Sequence, residues 1–542
     1  MSEMGGGAYT ATLEQAEAIA YDGNLVITAR PGSGKTFVMV EKITAATRNL
    51  RPFQGIIAIS FTNKASNELK ERCARKGVAG SRSFFGTIDR FFISEIIVKF
   101  GGHLIRMPTD FEICKLCDHP EYGELSSAKR PLTVESEELL FNALRDGLIF
   151  LEVVGETALR ILKRSQACRR YIKARYTQVF IDEYQDCGES QHGFFTELVA
   201  IGLVGTAVGD LDQAIYGFAG KKSRFLRELA TGDSFQHMSI TQNFRCHKSI
   251  SDYSLKLLGI GVRGVPPEDK RVVEARVPGG EEQIARAICA RLPGIMERNG
   301  VEHLGRVAIL ARTNRTLAKV AQSVDVPYRI ATSTALEDHG SSQAKMLDDM
   351  LTSYFAENGA LTSFVRRYFS EEEDDRQYRK ALSITCDLFD TPTGMLRGEI
   401  DKMIELASMA CYNERPIGLA AVLFCELGDP ERLANDYSPL GEGEVNLMTL
   451  HKAKGLEFDI VFHLEAYESI MPMFRPQGPD PAETQQALNL HYVGITRAIK
   501  ECYLVLGTTR TNSSGRVKTA LPSPFLSKNG LDLCRRHEDW IG

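Results

Sequence analysis

A glycine-rich turn between a strand and a helix most restricts what this chain can fold into. In segment 25–40, LVITARPGSGKTFVMV, the apolar residues 25–27 predict a buried strand. Val40 at the end of this segment and Ile43, three residues later, share one face of a predicted helix. Strand, glycine-rich turn and helix in this order are the context that a phosphate-binding loop needs. The segment therefore predicts an α/β protein with a nucleotide site.

The residue types in the turn suit phosphate chemistry. Gly32 and Gly34 let the backbone curl so that amide groups point at phosphate oxygens. Lys35 is expected to reach the β- and γ-phosphates, and the Thr36 hydroxyl to hold Mg²⁺. The alternative is an ordinary glycine-rich turn beside an incidental Lys-Thr pair. The predicted phosphate site comprises Ala29, Arg30, Pro31, Gly32, Ser33, Gly34, Lys35 and Thr36.

Length and charge limit the remaining possibilities. A chain of 542 residues can bury several cores, so we expect two to four subdomains. The formal net charge of -5 means that any nucleic-acid site must be a local groove. The chain has no apolar run that could span a bilayer, and its first ten residues, MSEMGGGAYT, do not resemble a signal peptide. We therefore expect a cytoplasmic protein.

One group among the twelve cysteines could bind a metal. Cys114, Cys117 and His119 lie close together in FEICKLCDHPEYG and could supply three ligands. No second close pair of cysteines completes such a site. The alternative is a pair of half-buried free thiols in a small helical insertion.

Polar residues before and after the phosphate loop are further candidates. Thr12 and Gln15 have the spacing of a capping box, and the Gln15 amide could instead read adenine. Phe61, Thr62 and Asn63 follow a second predicted strand, where open α/β sheets place ligands. Their ring, hydroxyl and amide suit contact with single-stranded nucleic acid, although the same residues also form ordinary strand ends.

Later strand ends carry acids, an amide and an arginine. Asp182 and Glu183 close a buried strand, where one carboxylate could hold Mg²⁺ and the other could orient the attacking water. Gln213 follows another strand and could sense a γ-phosphate. Arg245 could act as an arginine finger, although surface arginines are common.

Two more features between residues 159 and 218 suit nucleic acid. Tyr216 and Phe218 are close aromatics in a glycine-flanked loop, where base stacking is worth about 1–3 kcal/mol per base. Segment 159–175 is expected to be one strongly basic helix. It is either a solvated face or a phosphate-facing surface.

A second α/β unit is expected from about residue 251. Its predicted strands lie at 306–311, 328–331, 445–450, 460–464 and 503–506, and helical segment 335–440 interrupts them. The loop 449–459 contains Gly455 and Glu457, and Arg497 is expected near the start of a helix. These segments could face the first unit across a nucleotide.

Seven motifs in a fixed order resemble a known family. They are ARPGSGKT, ISFTNKA, IDEYQD, VGDLDQAIYGF, TQNFR, TLHKAKGLEF and YVGITRA. Together they resemble the superfamily 1 DNA helicases of the UvrD/Rep/PcrA type, in which alanine at the position of Ala29 is usual. The resemblance covers residues 10–92, 176–335 and 441–510 and extends poorly into the insertions.

The resemblance implies an α/β fold of two RecA-like domains with parallel sheets and helical insertions. ATP and Mg²⁺ would bind between the domains, and single-stranded DNA would run across both, with 3′→5′ translocation. The implied divisions are 1–92 and 176–250 for the first domain, 93–175 for its helical insertion, 251–335 and 441–542 for the second domain, and 336–440 for a reduced helical insertion.

The resemblance also implies residue roles. Asp182 would bind the metal with Thr36, and Glu183 would be the catalytic base. The other implied roles are adenine contact by Gln15, Phe37 and Phe244, γ-phosphate sensing by Gln213, arginine fingers at Arg245 and Arg497, ribose binding by Glu457, and DNA contact by Phe61, Thr62, Asn63, Tyr216 and Phe218.

Departures from the family pattern leave two functions open. Phe37 and Phe244 replace the usual Arg and Tyr beside adenine, while Asp89 and Ala219 replace a His and an Arg that commonly contact DNA. Compact helicases of this kind resemble the helicase-like subunits of antiphage defence systems, whose partner is an OLD-family ATPase–Toprim nuclease. The first function is an ATP-driven motor on single-stranded DNA. The alternative is a nucleotide- and DNA-sensing regulatory subunit that activates a partner nuclease without processive unwinding.

Overall fold

The computed structural model describes residues 11–78, 82–127, 134–213, 224–262, 268–331, 333–356, 360–371, 374–411, 413–439, 441–473, 480–512 and 514–541. Two parallel β-sheets of six and seven strands form its framework. Buried apolar clusters lie on both faces of each sheet. The predicted α/β class with parallel sheets is confirmed.

The first sheet carries the phosphate loop. Its strands are β1 (Leu25–Ala29), β2 (Gly55–Ser60), β3 (Phe84–Thr87), β6 (Tyr176–Ile181), β7 (Val204–Gly209) and β8 (Gln236–Ile240). The order across the sheet is β3-β2-β6-β7-β1-β8, and every pairing is parallel. Val26 packs in the core on one face and Ile27 in the core on the other. The carboxyl ends of all six strands therefore share one edge, where ligands bind in open α/β sheets.

Helices cover both faces of this sheet, as the crossover connections of parallel strands require. Their bounds are α1 (Leu13–Ala20), α2 (Lys35–Thr47), α3 (Asn63–Arg75), α10 (Glu189–Ala200) and α11 (Arg224–Thr231).

A first insertion separates β3 from β6. Its elements are α4 (Ile88–Phe91), α5 (Val98–Phe100), β4 (Glu112–Cys114), α6 (Glu124–Ser127), α7 (Val134–Arg145), β5 (Leu148–Phe150), α8 (Val154–Arg164) and α9 (Gln166–Arg175). β4 and β5 pair in parallel beside a small apolar core that includes Leu125, Leu140 and Phe150.

The basic segment 159–175 is not a single helix. Ser165 adopts an extended conformation between α8 and α9, and its hydroxyl accepts the amide hydrogen of Cys168 at 3.1 Å. Arg160 and Arg164 of this segment both pair with Glu137. Part of its positive charge is therefore neutralised within the insertion.

The second sheet has two strands that the sequence pattern did not predict, β9 and β17. Its strands are β9 (Val272–Val277), β10 (Val307–Ala311), β11 (Tyr328–Ile330), β12 (Val445–Thr449), β13 (Phe458–His463), β14 (Ala498–Gly507) and β17 (Arg536–Asp539). The order is β11-β12-β10-β13-β14-β9-β17, all parallel. Glu274 interrupts the apolar pattern of β9, and its carboxylate is paired with the distant Arg535 at 2.7 Å.

Helices α12 (Lys248–Leu257), α13 (Glu281–Arg298), α14 (Asn314–Ala321) and α22 (Pro481–Thr496) pack on the second sheet, and β15 (Thr509–Thr511) pairs with β16 (Val517–Thr519) as a hairpin. Arg497 caps the carboxyl end of α22, so its expected position near the start of a helix was wrong. The helical pattern of LNLHYVGIT lies in the last turns of α22, and β14 begins directly after Arg497.

A second insertion forms a helical body with its own buried core. Its helices are α15 (Ala335–His339), α16 (Ser342–Tyr354), α17 (Ala360–Tyr368), α18 (Asp375–Asp390), α19 (Ile400–Ala410), α20 (Leu419–Glu426) and α21 (Pro430–Tyr437). The two insertions touch through the main chain. The amide of Phe111 donates to the carbonyl of Asn413 at 2.9 Å, and the amide of Arg415 donates to the carbonyl of Phe111 at 2.7 Å.

Two further properties of the structure concern its cysteines and its helices. All twelve cysteines are free thiols. Of the helices formed by the described residues, none combines the length and the apolar character needed to cross a membrane.

Candidate active site

The phosphate loop between β1 and α2 depends on glycine at two positions. Gly32 and Gly34 have φ of +70° and +85°, in the left-handed region that glycine adopts without strain. A Cβ at Gly32 would lie 2.5 Å from Cβ of Arg245, so the loop and this arginine approach each other closely. The Ser33 hydroxyl donates to the carbonyl of Arg30 at 2.7 Å and closes the loop on itself.

The segment after β8 holds the loop from outside. The side-chain amide of Asn243 donates to the carbonyl of Pro31 at 2.8 Å, and the amide of Phe244 donates to the carbonyl of Gly32 at 2.9 Å. The Asn243 side-chain oxygen accepts the amide hydrogen of Arg245 at 2.8 Å. Asn243 thus connects loop and arginine. It lies inside the motif TQNFR, but its role was not anticipated from the sequence.

Gln15 both caps α1 and contacts the loop. Its side-chain oxygen accepts the amide hydrogen of Thr12 at 3.0 Å, and Oγ1 of Thr12 accepts the amide hydrogen of Gln15 at 3.2 Å. Nε2 of Gln15 donates to the carbonyl of Ser33 at 2.9 Å. The side chain is buried, so it fixes α1 against the loop.

Two acids follow β6 at the same sheet edge. The amide of Asp182 donates to the carbonyl of Ile59 at 2.9 Å, and Oδ1 of Asp182 accepts the amide hydrogen of Glu183 at 2.9 Å. Glu183 has φ of +53°, a left-handed conformation that is uncommon outside glycine. Asp182 with the hydroxyl of Thr36 offers the hard oxygen ligands that Mg²⁺ prefers.

The surroundings of the two acids shift their pKa values in opposite directions. Burial raises the pKa of Asp182, and the neighbouring Glu183 raises it further. Burial alone would also raise the pKa of Glu183, but Lys454 and Lys35 outweigh that effect and lower it. Nζ of Lys454 lies 3.1 Å and Nζ of Lys35 lies 3.9 Å from the Glu183 carboxylate. Glu183 is therefore held ionised, as a general base must be.

Lys454 reaches this acid from the second sheet. Its ammonium group also pairs with the buried carboxylate of Asp186. It follows β12, inside the motif TLHKAKGLEF, and was not predicted from the sequence as a site residue. Only the fold brings it to the end of β6, so its contact with Glu183 could not be read from spacing.

Gln213 and Asp210 lie at the end of β7. Nε2 of Gln213 donates to Oδ2 of Asp210 at 2.9 Å, and both side chains are buried. Gln185 joins this pair to the base, because its side chain accepts the amide hydrogen of Asp210 and donates to Glu183 at 2.6 Å.

The two candidate arginine fingers have different partners. Arg245 pairs with Glu457 at 2.6 Å, which joins the first sheet to the second. Arg497 is 2% exposed and donates to the carbonyls of Val493 and Leu456, each at 3.1 Å. Burial, followed by the repulsion of Arg245, lowers the pKa of Arg497 to about 10.

The aromatic candidates for adenine have unequal exposure. Phe37 lies in the first turn of α2 and packs partly against the core, whereas Phe244 is 45% exposed.

The candidate DNA contacts are only partly described. Phe61 packs partly against the sheet core, and exposed Thr62 caps α3 by accepting the amide hydrogen of Ala65 at 3.2 Å. Asn63 begins α3, and half-buried Asp89 lies in α4. The side chain of Asn63, together with Tyr216, Phe218 and Ala219, lies outside the described residues.

The set of candidate metal ligands in the first insertion differs from the predicted one. Cys114 and His119 come together with Glu112, which was not among the ligands predicted from the sequence. Cys117 is exposed, and its thiol contacts Asp118 at 3.5 Å. The two-residue spacing of Glu112 and Cys114 on one strand was the available signal, because alternate residues share a face.

Comparison with known proteins agrees with this geometry. Residues 14–219 match the model of an AAA domain, and residues 426–509 match the UvrD-like helicase C-terminal domain. The chain is 25% identical to the ATP-dependent DNA helicase UvrD1 of Mycobacterium leprae over 92% of this chain and 83% of that protein. It is 24% identical to the ATP-dependent DNA helicase PcrA of Bacillus subtilis over 94% of this chain and 86% of that protein.

A further relative aligns over a shorter stretch. The Gabija protein GajB of Bacillus cereus is 32% identical over 250 residues, which are 45% of this chain. The alignment covers 48% of GajB, or about half of its length.

Proposed function

Since this chain belongs to the UvrD-like helicases, a family of ATP-dependent DNA helicases, we propose that it hydrolyses ATP to move 3′→5′ along single-stranded DNA. The observation that carries this proposal is the contact of one carboxylate with both units. Glu183 faces Lys35 of the phosphate loop at 3.9 Å and Lys454 of the second unit at 3.1 Å. A nucleotide bound at this edge would therefore couple its chemistry to the spacing of the two units.

Glu183 is proposed to take a proton from the attacking water. Its pKa is lowered by Lys454 and Lys35 despite burial, so it is ionised and can accept that proton. Gln185, 2.6 Å from its carboxylate, holds the base in place. Gln213 would orient the water or the γ-phosphate from the end of β7.

The basic residues would neutralise charge on the phosphates. Lys35 and the loop amides are proposed to bind the β- and γ-phosphates, and Thr36 and Asp182 to hold Mg²⁺, which would offset developing charge. Arg245 is proposed to exchange Glu457 for the γ-phosphate, because its guanidinium already lies at the loop. Arg497, at the end of α22, is proposed to be the second arginine that contacts the γ-phosphate.

The proposed DNA path crosses the carboxyl edge of the first sheet. Phe61, Thr62 and Asn63 follow β2 there, and the proposal extends to Tyr216 and Phe218. Stacking of bases on aromatic rings would bind DNA with little sequence preference.

ATP hydrolysis by the purified chain, with and without single-stranded DNA, tests this function. We expect strong stimulation by DNA, and unwinding of duplexes that carry a 3′ tail. Lys35→Ala should abolish both activities. The control is Lys248→Ala, because Lys248 is exposed, whereas the nearer Lys42 is buried and its loss could disturb the fold. Unwinding only from 5′ tails would contradict the polarity, and no turnover under any condition would contradict the motor.

A second candidate function is a regulatory subunit in antiviral defence. We propose it because of the 32% identity with GajB and because Asp89 replaces a residue that commonly contacts DNA. In this case the chain would sense nucleotide and DNA and activate an OLD-family ATPase–Toprim nuclease. Adding such a nuclease should then give DNA cleavage that depends on Lys35, without unwinding. Cleavage equal with and without the chain would exclude this candidate.

A further inference from the structure

Three side chains of different chemistry meet in the first insertion. Glu112 and Cys114 project from the same face of β4, and His119 lies in the turn that follows. The carboxylate oxygen, thiol sulfur and imidazole nitrogen all lie within 4.8 Å of one another. Nε2 of His119 is 3.7 Å from Oε1 of Glu112. One ion could contact all three after small side-chain adjustments.

A second carboxylate orients the imidazole. Nδ1 of His119 lies 3.2 Å from Oε1 of Glu121, a distance at which Nδ1–H donates to the carboxylate. That bond leaves the lone pair of Nε2 on the side of Glu112. Histidines that bind a metal almost always donate a hydrogen bond from the N–H of the other ring nitrogen in this way. The edge contact of the ring with Phe150, centroid to centroid 5.5 Å, restricts its rotation further.

The surroundings of the sulfur favour a cation. Cys114 is 7% exposed and packs in the small apolar core beside Phe150. The carboxylates of Glu112, Asp118 and Glu152 lie near its thiol. These carboxylates place negative charge around the sulfur, so a divalent ion would find the opposite charge already in place.

We propose that Glu112, Cys114 and His119 bind one Zn²⁺ ion. Sulfur, nitrogen and oxygen together suit Zn²⁺, whereas Mg²⁺ and Ca²⁺ select oxygen alone. Zn²⁺ replaces the proton of the Cys114 thiol, and that proton passes to solvent. Three protein ligands leave a fourth position for water or for Cys117, which is exposed on the same turn.

The location suggests what the ion does. Phe111, the residue before Glu112, carries the main-chain bonds to Asn413 and Arg415 of the second insertion. Lys115, the residue after Cys114, donates to the carbonyl of Asp338 in α15. A zinc ion held by Glu112 and Cys114 therefore fixes the short strand on which the second insertion docks.

Metal analysis of the full chain tests the site. Protein purified without chelators or a polyhistidine tag should contain a single equivalent of zinc. After chelation, Co²⁺ added alone should give a thiolate-to-cobalt charge-transfer band. Zn²⁺ should then displace the cobalt and remove the band. Absence of both stoichiometric zinc and the band would overturn the proposal.

Single substitutions distinguish residues that bind the ion from residues that do not. Cys114→Ser should abolish the band, while exposed Cys425→Ser should leave it unchanged. Glu121→Gln should weaken zinc binding about 10- to 100-fold, because it orients a ligand without touching the ion. Circular dichroism of each apo variant checks that the chain is folded.

The role of Cys117 is decided by the same spectrum. Cys117→Ser with the band retained leaves the three-ligand site as proposed, and a weaker band adds Cys117 as the fourth ligand. A band that survives in Cys114→Ser but disappears in Cys117→Ser contradicts the assignment. These readouts do not involve ATP or DNA, so they stand apart from the proposed function.

Discussion

At the scale of single residues, the candidate base is held in a costly conformation. Glu183 adopts the left-handed region with φ of +53°, which costs a non-glycine residue about 1–2 kcal/mol. Its contacts with Gln185 at 2.6 Å and Lys454 at 3.1 Å stabilise this conformation. The strain coincides with the residue to which the sequence had assigned the most demanding chemistry.

We expect Glu183→Gln to lower ATP hydrolysis by about 10²- to 10⁴-fold, because the amide cannot accept the proton of water. ATP binding should remain, since Lys35 and the loop amides are unchanged. Single-turnover hydrolysis and nucleotide binding measured on the same sample check the two expectations. Glu189→Gln, an exposed acid at the start of α10, is the control. Normal turnover in Glu183→Gln would exclude this residue as the base.

At the scale of elements, the junction of the two insertions contains a buried acid. Glu414 is 7% exposed, and its backbone bridges to Phe111 beside β4. The amide of Gln343 donates to its carboxylate at 3.4 Å. Burial outweighs this bond and raises the pKa of Glu414 from 4.5 to about 7. The folded chain therefore keeps a proton here that the unfolded chain loses earlier.

The raised pKa of Glu414 predicts that Glu414→Gln changes stability in a pH-dependent way. Between pH 4.5 and 7 the folded state binds more protons at Glu414 than the unfolded state, so its contribution to stability falls as pH rises. The side chain of Glu414→Gln stays neutral. From pH 4.5 to 7 the free energy of unfolding of this variant should therefore rise by about 3 kcal/mol relative to that of the parent chain. Urea unfolding of both chains at pH 5 and pH 8 measures the difference.

The exposed Glu431→Gln, in α21 of the same insertion, is the matched control and should show no such trend. An equal stability difference between Glu414→Gln and the parent at both pH values would mean that Glu414 titrates as an ordinary surface acid.

At the scale of the whole molecule, ion pairs among the described residues join the carboxyl edges of the two sheets. Lys454 pairs with Glu183 and Asp186, and Arg245 pairs with Glu457. Asp186 is 2% exposed, so loss of its cation would leave a buried carboxylate beside a second one. A change in the spacing of the two sheets at this edge would have to break or exchange these ion pairs.

Lys454→Met should destabilise the chain by about 3 kcal/mol, because it removes one partner of a buried ion pair and leaves the carboxylates. It should also reduce ATP hydrolysis, since Glu183 loses the cation that lowers its pKa most. Thermal unfolding and steady-state hydrolysis measure both effects. Lys452→Met changes a nearby lysine that lies 3.9 Å from Glu337 and should have little effect on either. Unchanged stability in Lys454→Met would contradict the pairing.

The sequence predicted best what depends on neighbours in the chain. The phosphate loop could be placed because Gly32, Gly34 and Lys35 act within a few residues of one another. β9 was missed because Glu274 disrupts its apolar pattern, and the compensating Arg535 lies far along the chain. Lys454 was missed for the same reason, since only the fold brings it to Glu183. The DNA contacts and the domain limits stay predictions.

The last strand of the second sheet has a practical consequence for spectroscopy. β17 pairs only with β9 among the described strands, and Trp540 directly follows it. This single tryptophan of the chain is 2% exposed and packs against Tyr503 and Phe462. Its intrinsic fluorescence therefore reports on the second unit alone, without any label. Emission and overall helicity followed together during denaturation would distinguish which unit of the chain unfolds first.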